Sequence, residues 1–170
     1  MRGFTLLELL IAIGVGGILL AIAVPAMRTF VQTDQLMTET NTLLLAMYAA
    51  RGEAIKADTG VTVCASTDGA TCNSANWAQG FIVVNTAPGS TPILTTNALT
   101  NGSTITEANN QTAITFLSTG QSSAAANYAF TLCDARGAGS ARYLQVAPTG
   151  RAVESTTPGR NLAGAGLTCP

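Results

Sequence analysis

A single carboxylate, Glu8, interrupts an apolar run that extends from Phe4 to Met27. An acid held in hydrocarbon costs about 2.5 to 3.5 kcal/mol on insertion scales, so its natural chemistry is to meet a cation brought by another chain. Four cysteines, Cys64, Cys72, Cys133 and Cys169, allow two disulfides in any of three pairings. Cys64 and Cys72 flank the turn-rich STDGAT, which a bond closes into a small loop, leaving Cys133 to hold the tail through Cys169. Zinc suits them poorly, since there is no CxxC and no histidine, and structural zinc sites favour short paired spacings. Beyond Leu132, the arginines Arg136, Arg142, Arg151 and Arg160 outnumber the acids Asp134 and Glu154. That surplus is a candidate phosphate-gripping, DNA-binding patch.

Catalysis has little to stand on. Without histidine no ordinary serine or cysteine triad can form, and the glycines near Gly120 and Gly139 fit neither GxSxG nor a phosphate loop. Asp68 and Asp134 sit beside cysteines in turn-like contexts, where carboxylates ordinarily bond to backbone. No enzyme, cofactor or metal is expected. Of 170 residues 47% are hydrophobic and 10% charged, well below the roughly 25% charged of ordinary soluble domains. The net charge of −1 supplies no global field toward nucleic acid. The long apolar run and the cysteines together suggest an exported, membrane-tethered chain whose remaining length suits one modest domain.

The elements that must position these groups follow from periodicity. Two dozen apolar residues at ~1.5 Å rise each span a ~30 Å hydrocarbon core. Beyond Pro25, the residues Phe30, Met37, Leu44, Tyr48 and Ile55 recur at helical spacing, predicting an apolar stripe that a sheet covers. Arg28, Asp34, Glu39, Glu53 and Asp58 fall mostly off that stripe, on a solvated face, and Gly60 marks the stop. The anchor and this segment therefore read as one helix of roughly fifty residues, loosened or kinked at Pro25 because proline lacks the amide hydrogen. After Gly60 come short β-like runs: GVTVCAS, FIVVN, TAITFLS, NYAFTLCD, ARYLQVAP and GRAVES. The intervening residues 86–111 read as a long polar connection with one short edge strand around Pro92 to Thr95. One long helix followed by such runs predicts an α+β fold with a mainly antiparallel sheet.

The string GFTLLELLIAIGVGGILLAIAVPA resembles the class III signal peptides of type IV pilins and of the pseudopilins of type II secretion. A second set of segments is similar to the minor-pilin and pseudopilin group called GspH and FimT/FimU. It comprises ARGEAIKADTGVTVC, Trp77 and Gly80 with FIVV, then ITFLSTG and RYLQVAPTGR.

The resemblance implies a pilin fold with a leader at residues 1–3, a transmembrane and assembly half-helix at 4–27, an amphipathic half at 28–58 and a β-rich head at 59–170. By similarity, prepilin peptidase cleaves between Gly3 and Phe4 and methylates the new amino terminus. Glu8 then pairs with the terminal ammonium of a neighbouring subunit, and Pro25 marks the helix that unwinds during assembly. Implied partners are other pilin or pseudopilin subunits, the peptidase, an inner-membrane assembly platform and lipid. The implied location is the bacterial inner membrane with the head in the periplasm, then a pilus or pseudopilus. Some FimT-like subunits take up DNA and share a C-terminal Gly-Arg-x-Arg string. Here Gly150-Arg151 and Gly159-Arg160 each supply only its first half.

Overall fold

The computed structural model describes residues 5–99 and 102–170. They form two units, one ending at Gln35 and one running from Leu36 to Pro170. Helix α1, Leu6–Ala57, contributes to both.

In the first unit every apolar side chain from Leu6 to Met27 is exposed. The helix is long and apolar enough to cross a membrane, with a mean hydropathy of 2.6 over its most apolar window. Helical assignment continues unbroken through Pro25, whose carbonyl accepts a bond from the Thr29 hydroxyl at 3.3 Å.

The second unit holds the core. Its strands are β1 (Val61–Ala65), β2 (Phe81–Asn85), β3 (Pro92–Thr95), β4 (Thr104–Glu107), β5 (Ala113–Phe116), β6 (Tyr128–Cys133), β7 (Arg142–Val146) and β8 (Ala152–Glu154). They make two four-stranded sheets, in the orders β3-β2-β1-β5 and β4-β6-β7-β8, and every strand pairing is antiparallel. Both sheets share one core with the second half of α1. Leu43 and Met47 from the helix, Val63 and Phe116 from the first sheet, and Phe130 and Leu144 from the second are all buried. Trp77, in a 3-10 turn at Trp77–Gln79, is a packing residue. It meets Phe130 edge to face at 5.0 Å and donates its ring N–H to the Gln111 carbonyl.

Two expectations fail here. The apolar stripe predicted for the sheet is not the buried one: Met37, Tyr48 and Ile55 are 41%, 45% and 52% exposed. The core face instead carries Leu36, Thr40, Leu43, Met47, Ala50 and Ala54. Small residues draw the helix axis close to the sheets, and Thr40 returns its hydroxyl to the Leu36 carbonyl at 2.7 Å, so it enters the core without an unmet polar group. The helix itself ends at Ala57, one residue short of the expected 58 and just before Gly60. Asp58 takes the left-handed conformation at φ 49, and Thr59 closes the last turn onto the Ala54 carbonyl. Finally, the polar connection at 86–111 contains β4 as well as β3. Glu107 disguised β4, because its carboxylate points inward, where it accepts bonds from the amides of Asn109, Gln111 and Ala129.

Candidate functional site

Glu8 lies in the first turn of α1, where the exposed partial positive charge of the amides favours an acid. Its amide donates to the Thr5 hydroxyl at 3.3 Å, and its carboxylate lies 3.5 Å from both the Thr5 amide and the Thr5 hydroxyl. This reciprocal pairing is a capping box, legible in the sequence as Thr5-x-x-Glu8 and not used in reading it. The bonds are long and the carboxylate is exposed, so it can still accept from an incoming donor. The processing pair Gly3 and Phe4 falls outside the described residues.

The cysteines pair as Cys64 with Cys72, across 8 residues, and Cys133 with Cys169, across 36. Within the smaller loop Asp68 accepts from the amides of Thr71 and Ala70, from the Thr71 hydroxyl and from the Ser66 hydroxyl. Those bonds hold its carboxyl far below the ordinary range. Asp134 is pushed up by burial, but the side chain and amide of Arg136 outweigh that and leave it below the ordinary value. Both acids thus serve their own loops. Among the described residues, no cluster of three or more cysteines and acids is placed to hold a metal.

The four candidate arginines do not form one free cationic surface. Arg136 pairs with Asp134 at 2.6 Å, and Arg142 faces Glu154 at 3.8 Å. Arg160 gives its guanidinium to the Gly164 carbonyl at 2.6 Å. Only Arg151 and Arg160, both exposed, keep charge that no carboxylate answers among the described residues.

Sequence reasoning passed over two residues that shape the head. Arg51 donates its Nε to the Gly120 carbonyl at 2.9 Å, joining the helix to the turn after β5. Glu39 is not on a solvated face. It is half-buried in a recess with Phe81, Thr96 and Leu99, and its Oε2 has no hydrogen-bond partner among the described residues. Burial pushes its carboxyl above the usual value, and Asp134 adds to that, against the pull of a bond from Ser103.

With this geometry in place, residues 39–150 match the family described as type II transport protein GspH, and residues 1–24 match the prokaryotic N-terminal methylation motif. No curated protein matches the chain. Among solved structures, the fold is similar to the type IV minor pilin FimU of Pseudomonas aeruginosa. That similarity has 21% identity and a TM-score of 0.62, covering 74% of this chain and 92% of that one. It is also similar to the minor pseudopilin EpsH from the type 2 secretion system of Vibrio cholerae. There the identity is 11% and the TM-score 0.52, covering 71% of this chain and 96% of that one.

Proposed function

Because this chain belongs to the family of the type II transport protein GspH, we propose that it is a minor filament subunit of the type IV pilin kind, anchored in the inner membrane by α1 and then drawn into a pilus. The observation that carries this reading is Glu8, the only charge in an exposed apolar span of α1 that precedes a disulfide-bonded β-rich head. Outside a membrane such a span must bury its surface against other apolar helices, because roughly 25 cal/mol is lost for each Å² left in water. A bundle of these helices leaves each carboxylate in a low dielectric, where a cationic amino terminus of a neighbour lowers the desolvation penalty of both ions. Cleavage between Gly3 and Phe4 supplies that amino terminus, and N-methylation leaves it charged. Energy for extraction from the bilayer comes from elsewhere in the machine.

A pseudopilin of type II secretion is the second reading, favoured by the family match over residues 39–150. Replacing Glu8 by Ala tests the shared mechanism. The variant should be processed and inserted normally yet fall at least about tenfold in sheared filaments, the loss expected when one buried ion is left without its partner. Wild-type incorporation would reject it. Deletion of the gene separates the readings: loss of piliation or twitching supports the pilus, loss of protein export the secretion system.

A further inference from the structure

An antiparallel sheet ends in strands whose outward N–H and C=O groups must be covered, blunted or used. Three of the four edges in this head are managed. In β3, Pro92 removes a donor, and a register shift between Val83 and Val84 distorts the pairing beside it. Strand β5 is covered by its own returning chain, Ser123 donating its amide to the Thr115 carbonyl at 2.8 Å. On β8 the bonds from Ser155 to Tyr143 and from Ala147 to Arg151 fix the ladder so that the peptide groups of the buried Ala152 point away from β7, and its carbonyl receives the Tyr48 hydroxyl at 2.8 Å.

Strand β4 lacks all of these devices. Ala108 donates to the Ala129 carbonyl at 2.9 Å, so in the alternating ladder the peptide groups of residues 104 and 106 face β6, and those of Ile105 and Glu107 face out. The Glu107 carbonyl is taken by the Asn110 amide at 3.0 Å. Among the described residues no bond reaches the Ile105 N–H, the Ile105 carbonyl or the Glu107 N–H. The strand has no lysine, proline or bulge, and it borders a groove of about 410 Å³ whose other walls include Asn76, Gln111 and the terminal Pro170.

We propose that β4 is a strand-addition site, at which a single extended segment of a different polypeptide lies in this groove and pairs backbone to backbone with Ile105 and Glu107. At ~3.3 Å per residue the four-residue edge matches three or four residues of such a segment. The walls select its character. Trp77, Ile105 and Pro170 give it an apolar floor, Asn76, Gln111 and Thr104 offer amides and a hydroxyl, and the one acid at the site, Glu107, is already satisfied by backbone amides, so the groove suits a neutral, β-prone peptide that alternates apolar and polar residues. A second copy of this chain is a poor occupant, because its own β4 is recessed behind the same walls and two recessed edges cannot meet. The site is independent of helix bundling through α1.

The test uses the full chain in detergent micelles, isotopically labelled, titrated with the capped hexapeptide Thr-Val-Thr-Val-Thr-Val. Binding should move the amide resonances of Ile105 and Glu107 and slow their hydrogen exchange by about tenfold. N-methylation of alternate peptide residues on the pairing edge should abolish both effects. Gln111→Trp, which fills the groove from an exposed position, should weaken binding by about tenfold with an unchanged melting temperature. Unmoved resonances at millimolar peptide, equal effects from the N-methylated peptide, or shifts centred on β3, β5 or β8 would each overturn the proposal. So would self-association that moves the same two amides, since that makes a second copy the occupant.

Discussion

At the scale of single residues, the head depends on a few polar groups placed where no apolar side chain would serve. Gly120 and Gly150 adopt φ 77 and φ 76, and a Cβ on Gly150 would run into the Gly120 carbonyl that Arg51 holds. Gly150→Ala should therefore cost about 2 to 4 kcal/mol, combining left-handed strain with displacement of a charged hydrogen bond, as measured by urea unfolding. Glu39 predicts the reverse sign. Its folded pKa stands above the ordinary carboxylate value, so it favours the folded state below that value and loses the contribution as pH rises through its folded pKa. Glu39→Gln should raise the melting temperature at pH 7 by a few degrees, and the gain should vanish near pH 4, where the native carboxyl is already protonated. An equal gain at both values would show that burial of charge is not the cause.

Among elements, the disulfides differ in what they restrain. Closing 36 residues removes more unfolded-state freedom than closing 8, which the loop-entropy relation puts at about 4 against about 2.5 kcal/mol. Replacing Cys133 and Cys169 by serine should thus lower the denaturation midpoint more than the same change at Cys64 and Cys72. Both pairs were legible in the sequence because a turn-rich span between near cysteines leaves one sensible partner for the rest. The strands were legible for a similar reason: FIVVN and NYAFTLC carry the β-branched and aromatic residues that a pleated surface packs. The facing of α1 was not. Counting large apolar residues selected Met37, Tyr48 and Ile55, whereas burial selected Ala46, Ala50, Ala54 and Thr40, whose value lies in how little room they take. Nor could spacing reveal that Tyr48 faces outward in order to close the β8 edge with its hydroxyl. Arginine charge was legible as a surplus of cations over Asp134 and Glu154, but only folding shows which two guanidiniums those acids answer.

Across the whole molecule, the order of strands matters more than their number. The chain makes β1 to β3 of one sheet, crosses to lay down β4 of the other, and returns for β5 before β6 gives β4 its neighbour. The first sheet closes at Phe116 with one strand of the second already laid down, and the second closes only at Glu154. Unfolding of the head should therefore register as one transition, with Trp77 fluorescence and far-ultraviolet circular dichroism coinciding; separated midpoints would contradict the shared core. Three of the four strands of the second sheet lie beyond residue 127, and Glu154 is the last residue of its ladder. A ribosome or translocase delivering this chain from its amino end supplies the long helix and the first sheet by Phe116, well before the second sheet can form. The half of the core that Phe130 and Leu144 bring is the last to reach its seat, so the first sheet waits with that face bare until the carboxyl-terminal strands arrive.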